Sequence, residues 1–232
     1  MIITVQKPFD EVMKNLKPFG SVFVIGCAAC ATKCQTGGED AVKKMIGELK
    51  TLDKTVSGYA VLDTPCDMRI VKKDLGHSKE AQSAEVLVVL ACGAGVQAIE
   101  TVLGKTIIPG LNPVFIGTTE RIGNYREFCS ACGDCIIDQT AGICPVTRCA
   151  KGLLNGPCGG TIEGKCETDL DQDCVWALIY EKLKKQGKEK DMVRIVFSPR
   201  NTLKPRSLRT KEAGKRQKID GKIFTDCPDK YG

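Results

Sequence analysis

The sequence predicts an α/β fold, a Rossmann- or flavodoxin-like parallel sheet, followed by a small loop-rich, cysteine-rich metal-binding domain and an extended basic tail. Three features predict it. Apolar, β-branched runs alternate with amphipathic segments up to about residue 122. Eight cysteines stand among frequent glycines and prolines between residues 129 and 174. Residues 182–222 hold 15 Lys and Arg against 4 Asp and Glu, a local charge of +11 in a chain whose net charge is +6. The expected boundaries are 1–122 for the sheet domain with an N-terminal cluster site, 123–186 for the cysteine-rich cluster-binding domain and 187–232 for the tail.

The first strand is read at 21–26 (SVFVIG), the next at 55–62 (TVSGYAVL), then 86–90 (VLVVL) and 113–117 (PVFIG). Helical patterns fall between them at roughly 38–51, 79–83 and 95–103. Gly37-Gly38-Glu39-Asp40 opens the first helix with acids in its first turn, where the helix dipole favours them. Short apolar strands alternating with helices read as parallel β-α-β units.

Ligands of such sheets gather beyond the carboxyl ends of the strands. Cys27 follows the first strand directly, Cys66 comes four residues after the second, and Cys92 comes two after the third. Cys30 and Cys34 complete GCAACATKC, where a dinucleotide-binding fold carries its glycines. A lone cysteine is often a small core hydrophobe, but three thiols in eight residues at a sheet mouth are poor packing material. They predict a metal centre held by Cys27, Cys30 and Cys34, with Cys92 as fourth ligand and Cys66 as its competitor.

The second half carries cysteines at 129, 132, 135, 144, 149, 158, 166 and 174, and regular structure resumes with a helix over 173–185. A segment this loop-rich buries little apolar surface, and small domains of that kind use metal bonds as staples. Cys129, Cys132 and Cys135 have the C-x2-C-x2-C spacing of ferredoxin loops, and Cys144 precedes a proline as in bacterial ferredoxins. The gap from Cys135 to Cys144 is longer than in the ferredoxin run, so ligand grouping among Cys129, Cys132, Cys135, Cys144, Cys149, Cys158, Cys166 and Cys174 stays open. Zinc competes for such pairs, although the triplet suits an iron-sulfur cluster. The count fits two or three 4Fe-4S clusters, with zinc possible at one cysteine site; Cys227 is read as a spectator.

Composition narrows the functions. One histidine, His77, excludes sites needing two imidazoles, and it is read as a surface or capping residue. Twelve aromatic residues argue against a base-stacking platform. The amino terminus lacks a signal-peptide pattern and no apolar run is long enough to span a bilayer, so a cytoplasmic protein with no membrane association is expected. In a reducing compartment 14 cysteines are read as ligands, not a disulfide framework. Lys33, Arg148, Lys151 and Lys165 lie near ligand cysteines and can offset cluster charge, or simply be solvated. Trp176 and Tyr180 form an apolar helix face or a partner contact. The basic tail carries no nucleic-acid recognition motif, and wrapping of an acidic subunit is expected in preference to nucleic acid.

The segments GCAACATKCQTGG, ACGAG and CSACGDC, with CPVTRCAKGLLNGPCGG, GKCE and DCVW, resemble the small subunit of the two-subunit methylenetetrahydrofolate reductase of acetogenic bacteria. The likeness runs from about residue 20 to 185, and its second-half block is similar to the methylenetetrahydrofolate reductase C-terminal domain. The resemblance implies an electron-transfer iron-sulfur subunit, itself non-catalytic. It would pass electrons from a low-potential donor, ferredoxin or a further redox subunit, to FMN bound only in the catalytic partner. That partner reduces 5,10-methylenetetrahydrofolate to 5-methyltetrahydrofolate in the Wood-Ljungdahl pathway. By the same likeness Cys27, Cys30, Cys34 and Cys92 hold one cluster, and the cysteines from 129 to 174 the remainder. The alternatives are a zinc-stapled scaffold subunit of the same kind of complex and a thiol redox protein cycling Cys27 and Cys30.

Overall fold

The computed structural model describes residues 1–193. Residues 194–232, with most of the expected basic tail and Cys227, lie outside the described residues. The chain divides into two compact units, Met1–Ser130 with Val146–Arg148, and Ala131–Pro145 with the chain from Cys149.

The first unit runs β1 (Ile2–Gln6), α1 (Phe9–Leu16), β2 (Ser21–Cys27), α2 (Cys30–Lys33), α3 (Glu39–Lys50), β3 (Thr55–Leu62), α4 (Met68–Leu75), α5 (Lys79–Ser83), β4 (Val86–Leu90), α6 (Gly93–Leu103), β5 (Ile107–Pro109), β6 (Leu111–Arg121) and β7 (Asn124–Cys129). Strands β3-β2-β4-β5, in that order, form a parallel four-stranded sheet consistent with a Rossmann-like domain. Numbered along the chain, this is the 2-1-3-4 order of flavodoxin-like sheets. Strand order reverses between β2 and β4, where such folds open a crevice.

Burial explains the strand patterns. Every residue of β4 is buried, as is β2 from Val22 to Cys27, because these are central strands whose faces are covered by helices. These strands therefore read as unbroken apolar runs. The outer strand β3 is mostly half-exposed. Helix α3 supplies Ala41, Val42, Met45 and Leu49 to the core, the spacing of one helical face. Each fully buried Leu or Val contributes about 1.5–3 kcal/mol over its exposed state. The Lys54 ammonium donates to the carbonyls of Leu16, Lys17 and Phe19, closing the end of α1.

The segment 113–117 is extended as expected, but it does not continue the parallel sheet. It lies within β6, which pairs antiparallel with β1 on one side and β7 on the other. The three-residue β5 takes the parallel edge instead, pairing Leu87–Val89 with Ile107–Pro109. Beyond it Gly110 donates to Val89 and accepts from Lys7, so the chain leaves one sheet and enters the other at this glycine.

In the second unit β8 (Lys165–Cys166) and β9 (Asp169–Asp173) form a short antiparallel hairpin, followed by α8 (Val175–Lys185) and a 3-10 turn at Glu189–Val193. The four-residue α7 (Pro145–Arg148) begins in this unit. Ile143, Val175, Trp176, Ile179 and Leu183 form its core, and Cys149 and Cys174 belong to the same cluster. The Trp176 indole donates to the Leu153 carbonyl at 3.1 Å. Among the described residues no helix is long and apolar enough to cross a membrane.

A candidate thiol site at the carboxyl edge of the sheet

Strands β3, β2 and β4 lie side by side and end at one edge, and each is followed by cysteine. Cys27 is the last residue of β2 and Cys30 the first of α2. Cys66 lies in the turn after β3, and Cys92 is the N-cap of α6. All four are thiols outside any disulfide.

Backbone bonds hold this turn rigidly. The Cys27 N–H donates to the Gly37 carbonyl at 2.7 Å, and Ala28 N–H donates to Leu62 at 2.8 Å. The Thr32 hydroxyl returns to the Cys27 carbonyl at 2.7 Å. Gly37 has no room for a side chain, because a Cβ there would press on the Leu90 carbonyl and the Ala31 methyl. The turn after β3 is fixed similarly, with Pro65 beside Gly95 in the first turn of α6.

The electrostatics show which thiols share the crevice. Burial pushes the Cys27 thiol above its ordinary pKa; backbone N–H groups of Ala31 and Ala29 facing the sulfur act the other way, and the thiols of Cys30 and Cys92 raise it further. Cys66 is also raised, first by burial and then by Cys92, with Cys30 and Asp67 adding to it. Cys27 and Cys66 thus each feel the thiols of Cys30 and Cys92. Cys27 is buried, Cys30 and Cys92 half-buried, and Cys66 exposed at the mouth.

Cys34 is buried at the end of α2, where its Sγ donates to the Ile2 carbonyl of β1 at 3.9 Å. Cys34 follows Cys30 by one helical turn, a spacing that keeps the two on the same side of α2. Cys66 and Cys27 thus each have Cys30 and Cys92 as neighbouring charges, and the Cys34 thiol also meets β1.

The distal cysteines are spread among local partners. The Cys132 thiol donates to the Asp134 carbonyl at 3.6 Å, within a loop where Ala131 and Gly133 both have positive φ. Cys158 donates to the Glu167 carboxylate at 3.4 Å, and Glu167 pairs with Lys151. Cys166 and the Thr168 hydroxyl are 3.1 Å apart, and that hydroxyl with the Thr168 N–H lowers the Cys166 pKa. The Thr161 hydroxyl donates to Cys174 Sγ at 3.2 Å. Cys135 is exposed, Cys144 half-buried, and Cys149 packs in the core of its unit. Cys129 ends β7. Among the described residues no group of three or more His, Cys, Asp or Glu side chains is arranged to hold a metal ion.

Several contributors carry no motif. Thr4 and Tyr125 brace the thiol turn from the antiparallel sheet: Thr4 shares a hydrogen bond with Thr36 of the turn, and the Tyr125 hydroxyl donates to the Lys33 carbonyl at 2.9 Å. Lys165 pairs with Asp173, and the Arg148 guanidinium stacks over Phe128, so these basic groups have protein partners of their own.

Residues 108–202 match the family model described as methylene-tetrahydrofolate reductase C terminal. The match takes in β6, β7 and the whole described second unit, and relates this part of the chain to an oxidoreductase complex. Cys27, Cys30, Cys66 and Cys92 lie outside it. Neither the curated proteins nor the solved structures provide a match.

Proposed function

We propose that the protein is an electron-transfer subunit of a methylenetetrahydrofolate reductase complex, with an iron-sulfur cluster held by Cys27, Cys30, Cys66 and Cys92. The observation that carries this reading is that the turns after three adjacent parallel strands each carry cysteine at one edge of the sheet. It is the position at which a sheet of this order receives its ligand.

The residues fit such a group chemically. Thiolates are its usual ligands, and a cluster's inorganic core holds its ligand sulfurs farther apart than a single ion does. The N–H groups of Ala29 and Ala31 face the Cys27 sulfur, and the first-turn N–H groups of α6 lack intrahelical acceptors next to Cys92. Both sets of donors favour negative charge on sulfur. Burial of Cys27 limits water access on one side, while exposed Cys66 leaves the other side open to a redox partner.

When bound, the cluster supplies one-electron chemistry; the chain supplies ligands, N–H donors and a partly dry pocket that tune it. The catalytic partner would carry FMN, pair the electrons and reduce the folate. The distal cysteines are proposed as ligands of a further centre, either a cluster or zinc, formed by rearrangement of their loops.

Anaerobically prepared protein is expected to be brown, to contain iron and acid-labile sulfide, and to give an EPR signal on dithionite reduction. Cys66→Ser should remove the amino-terminal centre, whereas Cys34→Ser should keep it. Colourless protein loaded with zinc overturns electron transfer, and loss of the centre in Cys34→Ser with retention in Cys66→Ser overturns the ligand set.

A further inference from the structure

We propose that the acidic β8–β9 hairpin is the docking surface for the chain's own basic segment, residues 194–222. The inference goes beyond electron transfer and stands whether or not the protein carries a cluster.

The hairpin concentrates one sign of charge. Residues 163–173 hold Glu163, Glu167, Asp169, Asp171 and Asp173 against Lys165 alone. Lys165 pairs with Asp173, and Glu167 with Lys151 from outside the hairpin. Glu163, Asp169 and Asp171 form no ion pair among the described residues. Carboxylates crowded on so small an element repel one another, and cations laid over them relieve that repulsion.

The same hairpin leaves apolar surface uncovered. Ile162 is 57% exposed and Leu170 59%, more than any other large apolar side chain of the described second unit. Neither β8 nor β9 has a strand on its outer edge among the described residues, and a two-stranded hairpin alone is marginal in water. The surface suits an occupant that is both cationic and apolar.

The chain itself carries that occupant. Residues 194–222, outside the described residues, hold 10 Lys and Arg against 2 acids. Apolar residues stand beside the cations: Leu203 precedes Lys204, and Leu208 precedes Arg209. Reach is sufficient. Helix α8 starts with only Cys174 between it and β9, and its 11 residues rise about 16 Å. Beyond the helix Met192 packs back on the core of the unit. The stretch 194–204 can span about 36 Å, so Lys204 and the cations after it can return along α8 to the hairpin. Attachment to the same unit gives the pair an effective concentration on the order of millimolar, which a free competitor must exceed. Strand β8 carries Cys166, and Glu167 accepts from the Cys158 thiol, so the docked segment shields two of the distal thiols.

The test uses the full chain. Carbodiimide joins an ammonium to a carboxylate in contact with it, and should couple Lys204, Lys211, Lys215 or Lys218 to Glu163, Asp169 or Asp171. Peptide mass spectrometry on an equal mixture of isotope-labelled and unlabelled protein reads the products. Coupling within one chain supports the docking surface. Coupling only between labelled and unlabelled chains, or only to carboxylates outside the hairpin, overturns it.

Trypsin cleavage after Arg209 gives a second readout. Glu163→Lys with Asp171→Lys should speed it about tenfold or more. In a chain already carrying Arg206→Glu and Lys211→Glu, the same hairpin change should slow cleavage, because opposite signs again face each other. The sequence around the cleaved bond is identical within each pair, and a hairpin that had merely unfolded would speed cleavage in both. Equal cleavage of parent and hairpin variant, or the same direction of change in both backgrounds, overturns the proposal.

Discussion

Thr4 and Thr36, 32 positions apart, share a buried 2.7 Å hydrogen bond that ties β1 to the turn carrying Cys30 and Cys34. Thr36 also donates to the Ala31 carbonyl at 3.1 Å. Its single proton is then committed, so Thr4 donates to Thr36. The amino-terminal strand, which makes no direct contribution of sulfur, thereby fixes the backbone from which the thiols project.

The two threonines should respond unequally to substitution. Thr36→Val strands the Thr4 hydroxyl, which has no other acceptor among the described residues, and should cost about 1–3 kcal/mol. Thr4→Val leaves Thr36 bonded to Ala31 and should cost less. The double Val variant should lie close to Thr36→Val or above it in stability. Urea midpoints of the three variants check the order, and equal costs for the two single variants would refute it.

Gly37→Ala should destabilise the first unit by about 1–3 kcal/mol, the usual range for overpacking. Its Cβ meets a backbone carbonyl and the Ala31 methyl, and the Gly37 carbonyl is held by the Cys27 N–H. Relief of the clash must move Cys27, so the variant should also retain less iron per chain than the parent after anaerobic reconstitution.

Ile179 is fully buried in the core of the second unit. Ile179→Ala should cost about 2–5 kcal/mol through lost burial and the cavity left behind. Trp176, the only tryptophan, shares that core, so its fluorescence reports this unit's unfolding. The expected result is a lower denaturation midpoint by fluorescence; an unchanged midpoint would show that the core does not depend on this side chain.

In metal-free protein at mildly alkaline pH, iodoacetamide should label Cys166 ahead of Cys66 and both ahead of Cys27. Thiolate is the nucleophile. Cys166 is lowered by Thr168, Cys66 is raised by burial and neighbouring thiols, and Cys27 is both raised and buried. Peptide mass spectrometry over time reads the order. Thr168→Val should slow Cys166 by raising its pKa. The raised pair also predicts a stability trend. Their folded pKa values exceed the unfolded ones, so their contribution is full below the ordinary thiol range and is lost as pH rises through the raised values.

Asp67 gives the opposite sign. The Arg69 guanidinium and backbone N–H hold its carboxylate down to about 2. It caps α4 directly after Cys66, so its support for that helix should be present above the ordinary aspartate range and should fade as pH falls toward 2. Arg69→Ala should move that loss to higher pH, measured by carboxylate NMR titration.

The fold class and several elements were legible in the chain. Strands such as 86–90 and helices such as 38–51 stand out because a buried parallel strand must be apolar throughout and a half-buried helix must be apolar on one face. β1, β5 and β7 were not legible: β5 has only three residues, and β1 and β7, largely uncovered in the antiparallel sheet, lack the unbroken buried run of β4. The position of 113–117 could not be read either: extended conformation is a local property, but its partner strand is not.

Local order along the chain determined that thiols follow three strands and that C-x2-C-x3-C begins at a strand end. Tertiary structure alone decided their company. Sheet order brings the turns after β3 and β4 to either side of β2, so Cys66 and Cys92 flank the turn of Cys27 and Cys30, and the Cys34 thiol also meets the Ile2 carbonyl of β1. Spacing sets the direction in which neighbouring side chains leave a helix; which distant strand end lies opposite depends on hydrogen-bond pairing across the whole sheet.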